Sequence, residues 1–340
     1  MKLMFYSSDN SAVEVDIYQR SMQVLDNDMV FMASTDLGDV VIITSNGQYR
    51  ILELNHDTAM FLRKNFTFTA PSRVLHLDKT IGTENVLEIA NDEYTTYIYA
   101  SNYTPVLAQH SNNGLQLTGR SFEEILDSAT FEVFKNGYKK PWGAGGNNLK
   151  KPEEIEQVIS CGYTMVTLDC SDYINTDVFA MSDNHLNELY TPDGDREKLY
   201  IEKTFDISPD LSVTFDERSY KECTVAYGAA LDFIEDMYAL YFHSGTRDFE
   251  ISIDSALSPT QQFFISNELT RRGVKFDALA PNFVSESQFE DEFNIHAKIA
   301  EHFAYKISIR TNNAQLGDMS KITAKQYNVK LCEGDKREIQ

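Results

Sequence analysis

The sequence predicts an α/β protein: a β-rich N-terminal region (residues 1–100), then a parallel βα-unit barrel, TIM-like but short of strands (101–310), then a polar C-terminal tail (311–340). Three observations lead there. The first hundred residues carry short β-branched and aromatic runs separated by turn formers. From about residue 104 helical stripes alternate with short apolar strands, and strands linked through single helices run parallel. One of those strands, Thr164-Met-Val-Thr-Leu-Asp169, is almost continuously apolar, as in a sheet covered on both faces.

Taken in order, Val13 to Ile17, Val40 to Thr44, Tyr49 to Leu52 and Thr95 to Tyr99 read as strands, and Asn46-Gly47 marks a hairpin between two of them. Pro105 to Gln109 is a short strand. Ser121 opens a helix with Glu124 three residues on, a capping box in which each side chain satisfies the other's free backbone donor. Phe122, Ile125, Leu126, Ala129 and Val133 form its apolar stripe and Gly137 stops it. A second helix starts at Pro152 and ends at Gly162. A long helix from about Val225 to Phe242 leads to the strand Phe249 to Asp254. Ser258-Pro259 caps the next helix, which ends at Arg272-Gly273. The strand Val274 to Leu279, a helix from Ser287 to Phe303 and the strand Tyr305 to Ile309 complete the series. An open doubly wound sheet fits this pattern as well as a barrel does. With a further strand ending just before Asn147, the count after residue 100 reaches six strands, two short of closure, so the gap is expected to be filled by N-terminal strands or a second subunit.

Bulk properties narrow the function classes. Acidic residues outnumber basic ones 52 to 30, for a formal charge of −22. No basic footprint for nucleic acid or an anionic membrane surface is present, and neither is expected as a partner. No apolar run is long enough to span a bilayer. Cys161, Cys170, Cys223 and Cys332 are scattered without CxxC spacing, which predicts reduced thiols and a cytoplasmic location.

In both architectures chemistry sits at the C-terminal ends of the strands. Those positions hold Asn147, Asn148, Asp169 to Ser171, Asp254, Ser255, Ala280 to Asn282 and Arg310 to Asn312, with Lys150 close by. Lys150, Asp169, Asp254, Asn282 and Arg310 are candidate ligand-binding residues. The seven histidines fall elsewhere in this reading and are read as packing or surface residues. Asp169 and Asp254 are the only carboxylates at these ends, and strand-end aspartates serve equally as loop anchors. No nucleophile elbow or P-loop occurs, and Gly143-Ala-Gly-Gly146 is a weak phosphate-loop match. The residues alone stop at a polar pocket without a catalytic set.

Several segments, in this order, resemble tagaturonate epimerases: Phe66 to Pro71, Pro105 to Gln109, Leu117 to Arg120, the helix Ser121 to Tyr138, Leu149-Lys150, Gly162 to Ser171, Arg271 to Val274, Leu279 to Pro281 and His296 to Ile309. The resemblance implies an isomerase scaffold of hexuronate metabolism that uses a divalent metal to interconvert tagaturonate and fructuronate. It also implies departures. The family's acidic base and adjacent histidine ligand align with Asn147 and Asn148, its acidic proton donor with Ser255, a further histidine ligand with Arg310 and an arginine with Asn282. An asparagine cannot accept a proton at neutral pH, and its amide oxygen is a poor transition-metal ligand. No cofactor is therefore expected for this chain. The expected function is an impaired or silent family member, or a sugar-acid sensor or scaffold subunit in a homo- or hetero-oligomer. An active epimerase with rearranged residues is the alternative, with Asp169 or Asp254 as base. Arg310 is expected either to reach Asp254 and Asp169 in a metal-free ion-pair network or to face solvent.

Overall fold

The computed structural model of the chain describes residues 2–6, 12–83, 102–111, 115, 119–282, 289–311 and 324–331. Its first six strands are β1 (Lys2–Tyr6), β2 (Ala12–Ile17), β3 (Gln23–Leu25), β4 (Asp28–Thr35), β5 (Gly38–Ser45) and β6 (Gln48–Glu53). They pair antiparallel in the order β1-β2-β4-β5-β6, with β3 also on β4. Between β5 and β6 the turn residues Asn46 and Gly47 are both left-handed, at φ 48° and 80°. That geometry matches the twist of the paired strands. One face of the sheet, Val30, Met32, Val41 and Ile43, packs on Ala59 and Leu62 of helix α1 (His56–Asn65). The same cluster takes in Phe131 and Phe134 of α2 (Phe122–Asn136), which ties the sheet to the rest of the molecule. The strand expected at residues 95–99 lies outside the described residues.

Eight parallel strands then close a barrel: β7 (Lys79–Thr83), β8 (Thr104–Ser111), β9 (Gly143–Leu149), β10 (Met165–Asp169), β13 (Asp248–Ala256), β14 (Ala278–Asn282), β15 (Lys306–Thr311) and β16 (Tyr327–Leu331). The hairpin β11 (Lys203–Ser208) and β12 (Leu211–Phe215) stands apart. With α4 (Asp183–Leu189) and α5 (Gly194–Tyr200) it fills the excursion between β10 and α6 (Glu217–Met237). Helices α3 (Pro152–Ser160), α7 (Pro259–Arg271) and α8 (Phe289–His302) follow β9, β13 and β14.

The count of six strands and the polar tail are corrected, while the expected N-terminal strand fills one of the two gaps. β16 pairs with both β15 and β7, so one strand from the N-terminal hundred residues and one from the supposed tail close the ring within a single chain. Both strands escaped detection because they mix polar with apolar residues. Thr80, Asn328 and Lys330 are nevertheless buried, because they face the barrel interior rather than water. Two smaller corrections have local causes. α6 begins at Glu217 because Asp216 and Ser219 form a capping box ahead of the apolar stripe. Val274 lies just past the end of α7, its N–H donating back to Leu269 O at 2.9 Å, and the strand starts at Ala278. The run Gly143 to Gly146 lies in the strand expected before Asn147, which is β9. A Cβ on Gly146 would stand 2.7 Å from Val158 of α3, so glycine permits the close approach of helix to strand.

The predicted capping box of α2 is formed: Ser121 Oγ accepts from Glu124 N at 3.2 Å, and Glu124 Oε2 accepts from Ser121 N at 2.7 Å. The bond from the Ser121 N–H, followed by that from its hydroxyl, holds the Glu124 carboxyl below its ordinary range. Ser121→Ala is expected to lower stability by about 1 kcal/mol in urea denaturation, without changing the m-value.

At the N-terminal end of the barrel, Asp248 accepts from Arg73 Nε (2.9 Å), Val74 N (2.6 Å) and Leu75 N (2.9 Å). This pins the segment before β7 across the barrel floor, where Val74, Leu75, Val106, Met165 and Ala278 make an apolar plug. Among the described residues no helix is long and apolar enough to cross a membrane.

Candidate functional site

The middle of the barrel is polar. On β13, Phe249, Ile251 and Ile253 join the main apolar cluster with the helices, while Glu250 and Ser252 alternate with them and are also buried. The same alternation holds on β15 and β16. Ile307, Ile309, Tyr327 and Val329 join the apolar cluster, and Ser308, Asn328 and Lys330 join a buried network. Lys330 Nζ pairs with Glu250 Oε1 and donates to Thr167 Oγ1 at 2.8 Å, with Asn147 Oδ1 at 3.5 Å. Glu250 Oε2 accepts from Ser308 Oγ and from Asn328 Nδ2, the latter at 3.0 Å. Thr80 Oγ1 extends the chain to Asn328 Oδ1 at 2.8 Å. Burial by itself would raise the Glu250 carboxyl. The Lys330 charge and the bonds from Lys330, Ser308 and Thr167 outweigh it and hold the group below its ordinary range.

Asn147 connects this network to the mouth. It is fully buried, and its Oδ1 accepts from Gln109 Nε2 and lies near Thr167 Oγ1, each at 3.2 Å. Asn148, the next residue, has φ 52°, a left-handed conformation that asparagine tolerates better than most side chains. Arg310, at the end of β15, donates from Nη2 to Asn148 Oδ1 and reaches Ser252 Oγ at 3.4 Å. The structure thus brings Asn147, Asn148 and Arg310 together at the mouth.

Lys150 and Asp169 form a second group. Lys150 Nζ donates to Ser171 Oγ (3.0 Å) and Asp172 Oδ1 (2.6 Å) and lies 3.9 Å from Asp169 Oδ2. Asp169 Oδ1 accepts from Ser171 N at 2.9 Å, so Asp169 anchors its own loop. Asn282 ends β14 and is exposed. The backbone of Asp254 lies in β13, but its side chain is outside the described residues. Ser255 follows it, and its Oγ is buried without a hydrogen-bond partner among the described residues.

Sequence reasoning missed Gln109, Thr167, Glu250, Ser308, Asn328 and Lys330. It also kept all histidines away from the strand ends, whereas His110 is the penultimate residue of β8 and is buried. Reading β8 two residues too short hid it. Gln109 Oε1, like Ser255 Oγ, is a buried oxygen without a described partner. Among the described residues, a group of three possible metal ligands occurs on helices rather than at these strand ends: His56 of α1 with Glu123 and Asp127 of α2. Cys161, Cys170 and Cys223 are free thiols, and Cys332 lies outside the described residues.

A closed ring of eight parallel strands with helices following its strands makes this an α/β barrel of TIM type, with amides, an ammonium and a guanidinium at its C-terminal mouth. The model of the tagaturonate epimerase family matches residues 14–330, and the chain belongs to that family. A tagaturonate/fructuronate epimerase of Thermotoga maritima is 28% identical over 333 residues, covering 88% of this chain and 69% of the relative. The fructuronate-tagaturonate epimerase of Cohnella laeviribosi, solved with one glycerol, superposes with a TM-score of 0.86 at 29% identity, covering 93% of this chain and 72% of that one. Its native crystal structure gives 0.85, with 94% and 72% covered.

Proposed function

We propose that this chain binds a hexuronate or ketohexuronate at the barrel mouth, with Arg310 as carboxylate anchor, and does not carry out the family's metal-dependent epimerisation. The observation that carries the reading is the hydrogen bond from Arg310 to Asn148. Both residues stand where the resemblance implies histidine ligands, and here a fixed cation lies against an amide oxygen. Asn148 and Arg310 do not suit a divalent ion: an amide is a weak ligand, and a guanidinium beside it repels another cation. They suit a sugar acid. A guanidinium recognises a carboxylate through charge-assisted, often bidentate hydrogen bonds. Gln109 Oε1 and Ser255 Oγ are further polar atoms that sugar hydroxyls could satisfy.

Calorimetric titration with tagaturonate, fructuronate, galacturonate and glucuronate, in the presence of a chelator, tests the binding. One of them should bind, and Arg310→Ala should weaken it by about tenfold or more, the loss expected for one charge-assisted pair. Binding of none, or equal binding by the variant, removes the proposal. Turnover of tagaturonate with added divalent metal, abolished by chelation, would instead favour an active epimerase with rearranged residues.

A further inference from the structure

The geometry points to a second, unrelated site: His56, Glu123 and Asp127 form a binding site for one divalent transition-metal ion of zinc type at the junction of α1 and α2. The three ligand atoms all lie within 4.8 Å of one another. His56 Nδ1 is 3.0 Å from Asp127 Oδ2 and 3.7 Å from Glu123 Oε1. Metal–ligand bonds of about 2.0–2.2 Å place neighbouring ligand atoms roughly 3.0 Å apart at octahedral angles and 3.4 Å at tetrahedral ones. Both His56 separations lie within a few tenths of an ångström of those values.

The surroundings suit a ligand set. Asp127 is almost fully buried, and Arg63 Nη2 holds its Oδ1 at 2.7 Å while Oδ2 is turned to His56. Arg63 Nε is in turn fixed on Thr130 Oγ1 at 2.7 Å. A carboxylate oriented through one oxygen and coordinating through the other is the arrangement outer-shell partners impose in metal sites. His56 and Glu123 have side chains 43% and 50% exposed, which leaves water access to the remaining coordination positions. One imidazole and two carboxylates suit zinc, cobalt or nickel better than magnesium, which prefers oxygen alone. The rival reading is a plain network of His56 and Arg63 on Asp127 with no ion. Occupied, the site would clamp the helix that follows the N-terminal sheet onto a helix of the barrel, far in function from the sugar-acid mouth.

The test uses the full chain stripped with a chelator and titrated with zinc against a chromophoric competitor. One zinc per chain is expected. His56→Ala and Glu123→Gln should each weaken it by at least about tenfold, the scale on which outer-shell changes already act. His185→Ala, at an exposed histidine on α4, should not. Cobalt should give a visible ligand-field absorption in the parent that both site variants lose. Circular dichroism checks folding, and Glu123→Gln decides alone if His56→Ala fails to fold. Absence of bound zinc in the parent, or unchanged affinity and cobalt spectra in the folded variants, overturns the site. Uronate binding under chelation is unaffected by either outcome.

Discussion

Replacing Lys330 by methionine is expected to destabilise the protein by about 3–5 kcal/mol, the cost of leaving one partner of a buried ion pair uncompensated. Lys330 and Glu250 are both fully buried, and Lys330 is the only cation among Glu250's described partners. In the variant the Glu250 carboxylate faces only hydroxyls and an amide. It must remain charged in a dry barrel or take up a proton, and both routes lower stability at neutral pH. The double variant Lys330→Met with Glu250→Gln should recover most of the loss, because paired charges in a barrel interior gain little over a neutral substitute. Urea denaturation of the parent, both single variants and the double variant measures this cycle. A loss below about 1 kcal/mol for Lys330→Met would mean that water reaches the pair, since such a small effect is typical of a solvated contact.

Acid should weaken the fold through His296. Burial lowers its pKa from 6.5 to about 4. At neutral pH the ring is therefore uncharged, and because Gln262 Oε1 can only accept, the proton sits on the Nδ1 that faces it. Gln262 is itself held, its Nε2 donating to His296 O at 3.0 Å and to Tyr305 Oη at 2.7 Å. Between the two pKa values the unfolded chain binds a proton that the folded chain refuses. The contribution is therefore complete above pH 6.5, is lost as pH falls toward 4, and amounts to about 3 kcal/mol at most. His296→Asn keeps a donor toward Gln262 and does not titrate. Denaturation midpoints at pH 7, 5.5 and 4.5 should fall less steeply for this variant than for the parent, and parallel curves would reject the assignment. Carboxylates that also titrate in this range are common to both proteins and cancel in the difference.

What the sequence revealed was whatever is decided within a few residues. The capping box at Ser121 and Glu124, the stop at Gly137, the turn at Asn46-Gly47 and the cap at Ser258 are local bargains between side chains and nearby backbone, and all of them formed. What stayed hidden depends on residues far apart in the chain. Alternation on β13 is visible, but only closure of the ring decides that Glu250 faces inward, and its partner Lys330 comes 80 residues later. β7 and β16 are five residues each and look like surface strands until their neighbours are known. The strand-end rule placed Asn147, Asn148 and Arg310 at one mouth. It did not reveal which side chains meet there. Arg310 was expected either to meet Asp169 and Asp254 or to face solvent. Asp169 instead accepts from Ser171 N and lies near Lys150, the Asp254 side chain is outside the described residues, and Arg310 reaches across the barrel from β15 to β9.

The position of β16 has a kinetic consequence. β15 and β7 are made in full before residues 327–331 leave the ribosome, and until then each carries an edge whose partner does not yet exist. Pairing of β16 with β7 joins segments almost 250 residues apart, so its loop-closure cost comes late and the ring can only snap shut as a final step. Emerging chains therefore pass through an open-edged interval in which strand pairing between neighbouring molecules competes with closure, and slower synthesis or crowded ribosomes lengthen it.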